Sequence, residues 1–458
     1  MAKEDFLDTS TLDEFEGCQT SPSKYTADVD AGQDAARLRD LTPLQWRAGI
    51  ASWLGWLFDG LDGYLYILVA APFVAQLLHT TKKDPQVSVH SAYIQAAFLV
   101  GWAIGGAFFG RIGDRVGRSR TISLTILTYA ACTGLSGLAQ TWQQLMLFRF
   151  LAALGIGGEW AAGSSLIAET WPRKWRPWLS AVLQSAYQGG ILLASLAGFL
   201  LADKNPRWVF AVGVLPALLV FWIRRAIPEP DEWHKARESA RTQPRVADLF
   251  RGRMGRITTL TVLLCSAALT TTWGFLFWFP QQLRHLPDIA PLAAADQNRY
   301  IMYATALAMV VAIGGNFFAA MMARYLGYRK ATFVMFFGGL VSMYLTYHVV
   351  RDSHTMLLYA NVAHFFVQGV FGLFPLYIPP LFPPLLRTTG AGFSYNFGRL
   401  VAAAGTVIFS FYVRLNSLQE FNAAMLWIGY LYIPALLIAF FIPEPSPDGK
   451  NNDTLPER

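Results

Sequence analysis

The chain has 458 residues, of which 54% are hydrophobic and only 15% charged, with a formal net charge of +7 and a mean hydropathy of +0.34. Soluble proteins carry about 25% charged residues, so this composition excludes a water-soluble enzyme, and the long apolar blocks indicate an all-α membrane protein. The positive balance requires no nucleic-acid partner, because basic loops beside a bilayer account for it.

Residues 1–45 are polar, acidic and Ser/Thr-rich, with no early apolar core. That excludes a cleavable signal peptide. They read as a disordered cytoplasmic tail, with a short interfacial helix around "LTPLQWRAG". Apolar spans follow at 48–72, 92–112, 120–140, 144–168, 178–201, 207–226, 257–281, 300–322, 331–350, 356–379, 390–412 and 424–443. Each runs roughly 20 residues, enough to cross ~30 Å at 1.5 Å per residue. The organisation is therefore an N-terminal six-helix half over 46–227, a cytoplasmic linker over 228–255, a C-terminal six-helix half over 256–444 and a cytoplasmic tail over 445–458. With both termini inside, the inner loops hold about twenty Arg and Lys, among them Arg111, Arg115, Arg118, Arg173, Lys174, Arg176 and Arg387. The outer loops hold about eight, and this bias fixes the orientation.

The first span reads ASWLGWLFDGLDGYLYILVAAPF and contains Asp59 and Asp62. A charge at membrane depth costs at least ~2.5–3.5 kcal/mol and normally faces a bundle interior with a partner. The two acids share one helix face at i, i+3. Counting from the inner side, Asp62 lies about 21 Å up and Asp59 about 16 Å. Arg149 enters from the outer side at a similar level to Asp62, so the two can meet. Glu159 lies about 15 Å deeper than Arg149, near Asp59, among small residues that admit another helix.

Two internal echoes indicate duplication. "GRIGDRVGRSRT" (110–121) after the second span matches "ARYLGYRKAT" (323–332) after the eighth, and "ETWPRKWR" (169–176) after the fourth matches "PLFPPLLR" (380–387) after the tenth. Aligning Pro172…Arg176 with Pro383…Arg387 makes Gln188 and Arg399 equivalent, each about 18 Å into the membrane. Parallel repeats place such positions on either side of a central site. An Arg there has the planar fork that grips a carboxylate, with Gln188, Gln184, Tyr395 and Asn396 beside it. His364 and Gln368 share a face of the tenth span, and Trp273 and Trp278 in the seventh are further candidates for the pocket wall. In the loop motif, Asp114 is placed to satisfy free N–H groups at the start of the following helix. Gly110, Gly113 and Gly117 allow close packing and a tight turn.

"GRIGDRVGRSR" resembles the loop motif of the major facilitator superfamily, a Gly followed by Asp-Arg-x-Gly-Arg-x-Arg. "RFLAALGIGGEWAAGSSLIAETWPRKWR" (149–176) resembles the fourth-helix signature of its sugar and organic-acid branches, and "IPEPDEW" (227–233) its sixth-helix end. "FDGLDGYLY" and "GFSYNFGRL" resemble most the sialate, lactate and aromatic-acid proton symporters. The resemblance implies a twelve-helix fold in two pseudo-symmetric six-helix halves and transport by alternating access. It implies that Asp62 and Arg149 form the proton-coupling pair, with Glu159 and Asp59 as further candidates. It also implies a gating latch at Gly110, Asp114, Arg115, Gly117 and Arg118. The second loop copy lacks the acid, and a Glu common before the Phe-Pro is replaced at Pro380 or Leu381. The second half is therefore expected to be gated less tightly from the inside.

Cys18, Cys132 and Cys265 are too widely spaced for a metal site or disulfide framework, and "GIGG" lacks the Lys-Ser/Thr of a P-loop. No enzyme activity, cofactor or metal is expected. The reading is a proton-coupled symporter of a small organic anion (a monocarboxylate, sugar acid or aromatic acid). It would act as a monomer in a bacterial inner membrane, its partners being the substrate, protons and the bilayer. Rival readings are a proton-coupled sugar or polyol symporter, an efflux pump, and a non-transporting sensor that uses the acidic tail.

Overall fold

The computed structural model describes residues 37–444, apart from 82–83, 201–204, 219–221, 224–226, 228, 230–232, 235–237, 239–244 and 413–416. Of the tail expected over 1–45, residues 1–36 lie outside the described residues, as does the tail over 445–458; residues 37–45 are instead structured, with a 3-10 turn at Leu38–Asp40 and the start of the first long helix at Pro43. The first half contains α1 (Pro43–Leu77), α2 (Pro85–Val116), α3 (Arg118–Leu138), α4 (Trp142–Thr170), α5 (Arg176–Leu200) and α6 (Arg207–Val212). The second contains α7 (Gly252–Leu283), α8 (Ala294–Leu326), α9 (Tyr328–Tyr347), α10 (Ser353–Gly369), α11 (Pro384–Tyr412) and α12 (Leu418–Tyr430). α10 is extended by a short helix, Phe374–Tyr377, and α12 by Tyr432–Phe441. Among the described residues, eight helical segments are long and apolar enough to cross a bilayer.

The helices begin before the apolar spans do. "LTPLQWRAG" is not a separate interfacial helix but the start of α1. Thr42 accepts from the Gln45 N–H, Gln45 accepts from the Thr42 N–H, and Pro43 opens the first turn. This reciprocal box satisfies two free helix donors, so the helix starts there whatever the hydropathy. The Gln45 side chain then donates to Thr170 O at 3.0 Å, and Trp171 Nε1 donates to Gln45 O at 2.7 Å. The entry of α1 is thereby tied to the exit of α4.

Within the first half α1 packs on α5 and α2 on α4. The α1–α5 crossing needs glycine. A Cβ on Gly190 would overlap the Leu57 carbonyl, and one on Gly60 would overlap the Tyr187 carbonyl. Small residues of this kind let membrane helices meet backbone to backbone. The halves meet along two seams, α2 against α11 and α5 against α8. The linker contributes a short 3-10 turn, Val246–Phe250, whose buried Leu249 accepts from Thr258 through its carbonyl.

Candidate transport site and inter-half latch

Asp62 and Arg149 meet inside the first half. Arg149 Nη1 donates to both Asp62 carboxylate oxygens at 3.2 and 3.1 Å, and its Nη2 donates to the Asp62 carbonyl at 3.2 Å. Thr133 of α3 adds a 2.6 Å hydrogen bond to the carboxylate. Arg149 also lies over the Phe98 ring, 4.5 Å from its centroid. Both charged side chains are fully buried. A buried pair offsets its desolvation cost only with such dense hydrogen bonding. Here both carboxylate oxygens of Asp62 have donors.

One turn away the pattern reverses. Asp59 and Glu159 are buried, their carboxyl groups face one another, and none of their four oxygens has a donor among the described residues. Glu159 sits against Gly55, one turn before Asp59, where any Cβ would overlap its carboxyl oxygen. A cavity of about 20 Å³ borders Glu159 and is also lined by Ser52, Trp56 and Ser164. It has room for about one water molecule.

Arg399 occupies the opposite wall, on α11. It is 4% exposed, and its guanidinium stacks 3.9 Å from the Trp102 ring centroid and 4.8 Å from that of Tyr395. It donates to Asn396 Oδ1, and Asn396 is itself held by its Nδ2 donating to Gly392 O at 2.9 Å. Among the described residues Arg399 forms no ion pair, and its Nε has no acceptor. The walls between the halves are aromatic. Trp160 and Tyr395 stack at 4.2 Å with planes 12° apart, and Trp56 lies 5.5 Å from Tyr187. Gln184 and Gln188 are buried with unpartnered Oε1 atoms, as are the indole N–H groups of Trp56, Trp102 and Trp160. Buried polar atoms without partners are thus collected between the halves, where a ligand or ordered water could meet them.

His364 and Gln368 lie elsewhere in the second half. The Gln368 amide bonds His364 Nδ1 at 2.8 Å, and the ring stacks 4.2 Å from Phe275. Trp273 reaches the central wall through Trp102 at 6.4 Å, whereas Trp278 stands near Phe421.

At the end carrying residues 110–121 the halves are latched. Asp114 does not cap the helix that follows it, as its sequence position predicts. Its carboxylate accepts from the Thr388 and Thr389 N–H groups at 3.2 and 2.9 Å and from the Thr389 hydroxyl at 2.5 Å, all on α11. The start of α3 is capped instead by Glu229, which accepts from the Ser119 and Arg120 N–H groups at 3.1 and 3.0 Å. The reason is positional: Asp114 belongs to the last turn of α2 and faces the other half, while Gly117, at φ 116°, reverses the chain beneath it. Arg118 pairs with Asp114 at 3.3 Å, grips Glu169 with two nitrogens and donates to Pro384 O at 2.6 Å. Arg387 completes the cluster at 3.1 Å from Glu169. A Cβ on Gly110 would stand 2.9 Å from the Thr388 carbonyl, so this glycine lets α2 and α11 close. Arg115 is exposed.

A family model, the Major Facilitator Superfamily, matches residues 52–406. The chain belongs to this superfamily. The chain is 30% identical to a cis,cis-muconate transport protein of Acinetobacter baylyi over 413 residues, covering 88% of this chain and 95% of that one. It is 27% identical to the sialic acid transporter NanX of Escherichia coli over 415 residues, covering 88% and 96%. A solved structure of the proton:xylose symporter XylE superposes with a TM-score of 0.71 at 18% identity, covering 88% of this chain and 96% of that one. The fold is thus the twelve-helix facilitator fold, and the protein is an integral membrane transporter of its organic-acid branches rather than an enzyme.

Several facilitator residues carry contacts that the sequence reading passed over. Glu444 caps α9 through the Tyr328 and Arg329 N–H groups, as Glu229 caps α3. The signal was present: "IPEP" occurs at 227–230 and again at 442–445. Tyr328 holds the place of Arg118 in the second half and stacks on Tyr377 at 5.2 Å, so an uncharged contact replaces the ion pair there. Trp56, Trp102, Trp160 and Tyr187 had no signal, because an aromatic on a membrane helix looks the same whether it faces lipid or a site.

Proposed function

We propose that this transporter is a proton-coupled symporter of small planar organic carboxylates. The observation that carries the reading is Arg399, a buried guanidinium that forms no ion pair among the described residues and is framed by aromatic rings. An Arg at that depth is expensive unless it is functional, and its planar fork is open to the two oxygens of a carboxylate. A carboxylate would take the fork, while a flat body would slide against Trp160, Tyr395 and Trp102. Gln188 and Gln184 would bind its far end from the first half. The similarity to a muconate transport protein agrees with a planar acid, and that to a sialic acid transporter with a carboxylate.

Basic residues concentrate at the latch end, which favours a cytoplasmic placement for that end and for both termini, in a bacterial inner membrane. The described state is then the one closed to the cytoplasm, held by Asp114, Arg118, Glu169 and Arg387. Asp62 is the coupling acid, and Arg149 is the partner that holds it in the described state and leaves it when the halves rock. One chain holds all of these groups and works as a monomer. Uptake of cis,cis-muconate, benzoate, sialic acid and xylose into proteoliposomes, with and without an inward proton gradient, tests the reading. Gradient-driven accumulation of muconate or benzoate is expected. Accumulation of xylose alone, or equal uptake without the gradient, refutes it.

A further inference from the structure

Glu159 and Asp59 present an arithmetic problem. Four carboxyl oxygens from α1 and α4 converge in a buried place, and none receives a donor from the described residues. Two ionised carboxylates in contact repel one another strongly away from water. A single proton between them removes the repulsion and supplies the missing hydrogen bond. The arrangement is built rather than incidental. Gly55 leaves the Glu159 carboxyl its present place, since a Cβ there would oblige the flexible end of Glu159 to move. The cavity beside Glu159 offers a water position from which a proton can arrive.

The charges around the pair decide what the proton does. On α1, Asp62 is neutralised by Arg149 of α4. From α11, Arg399 acts on Asp59. Tyr129 of α3 and Tyr187 of α5 bring phenols within electrostatic range, and Tyr395 and Cys265 lie near Arg399. With the latter four neutral, a pair holding one proton carries one negative charge, which Arg399 cancels. The empty site is then neutral. A bound carboxylate adds one negative charge in a low-dielectric place, where a net charge is costly. A second proton on the pair restores neutrality.

We propose that Asp59 and Glu159 share one proton in the empty transporter and take up a second when a carboxylate binds at Arg399, so that each carboxylate travels with one proton on this pair beside the one that Asp62 couples. This rests on the reading of Arg399 as the anion site. In the loading step an O–H bond forms on the ionised carboxyl oxygen, with the proton delivered from bulk water by way of the cavity position. In the release step that bond breaks to water once the carboxylate has left. Asp62 then governs the rocking of the halves, and the Asp59–Glu159 pair does the local charge matching.

Infrared difference spectroscopy of the lipid-reconstituted full chain reads protonated carboxyl groups directly through their C=O stretch. At neutral pH the ligand-free wild type is expected to show this band, and Glu159→Gln and Asp59→Asn are each expected to remove it, since the new amide supplies the donor that the proton supplied. Added benzoate is expected to raise the band in the wild type by about as much as the ligand-free signal, and to raise nothing in the double variant Asp59→Asn/Glu159→Gln, which keeps no carboxyl group of the pair to protonate. No neutral-pH band in the wild type, or one that survives both substitutions, overturns the shared proton. Saturable benzoate binding that leaves the band unchanged overturns the coupling. If the band behaves as expected while neither benzoate nor cis,cis-muconate binds, the pair stands and the carboxylate-symport reading falls.

Discussion

Replacing Asp114 by Ala should unlatch the closed end. The carboxylate accepts three hydrogen bonds from α11 and pairs with Arg118, in a site where Asp114 is 3% exposed. Removing it forfeits hydrogen bonds to a charged acceptor, worth about 1.5–3 kcal/mol each, of which the Thr388 and Thr389 N–H groups recover part from the helical carbonyls of α11. Arg118 keeps its two-nitrogen grip on Glu169, so the ~3–5 kcal/mol typical of a broken buried pair is not incurred in full. A net ~3 kcal/mol is reasonable. It falls on the closed state alone, because in the open state the same groups face water. That is a shift of roughly 150-fold in the ratio of open to closed molecules. Ser180 reports it: the residue is buried and donates to Leu373 O across the halves at 3.2 Å. In a background lacking Cys18, Cys132 and Cys265, labelling of Ser180→Cys by an impermeant thiol reagent from the latch end should accelerate about a hundredfold when Asp114→Ala is added. Asp114→Asn, which keeps one acceptor, should fall between. A labelling rate within twofold of the parent in folded protein would show that the latch does not hold this state.

Arg399→Lys keeps the charge but loses the fork and the stacking on Trp102. It should weaken carboxylate binding by about 1.5–3 kcal/mol, roughly 10- to 150-fold, in a calorimetric titration; unchanged affinity would place the anion elsewhere. Asp62→Asn should abolish gradient-driven accumulation yet leave exchange of labelled for unlabelled substrate, and a variant that still concentrates substrate removes Asp62 from the coupling step. Gly55→Ala puts a methyl group into the Glu159 carboxyl, so transport should fall at least about tenfold while the protein still inserts, because misplaced groups at a preorganised site lose function before fold. Normal transport rates from that variant would mean that Glu159 needs no fixed place. Glu229→Ala and Glu444→Ala remove equivalent helix caps from α3 and α9 and should each cost about 1–2 kcal/mol. Thermal unfolding in detergent should show comparable losses for the two, and a loss confined to one half argues against equivalent capping.

The sequence by itself determined the membrane class, the helical fold and the family. Those follow from local quantities: the length of an apolar run, the basic residues that flank it, and a loop motif read in order. It also paired Asp62 with Arg149 correctly, because rise per residue turns sequence distance into depth and two charges at one depth in neighbouring helices have few other partners. Depth alone did not say which way a side chain faces. Asp114 was expected to cap the helix beside it in the chain, but tertiary structure gave that cap to Glu229 and turned Asp114 toward Thr388 and Thr389. Likewise Asp59 and Glu159 looked like lesser companions of Asp62 until the packing of α1 on α4 set their carboxyl groups together without a donor. The aromatic walls around Arg399 were invisible, because membrane helices are apolar on all sides and carry no stripe that distinguishes a site from lipid. Hydrophobic pattern places each helix in the bilayer. The rotation of each helix about its own axis is set by close glycine contacts and cross-half hydrogen bonds between residues far apart in the chain, so only the folded structure decides it.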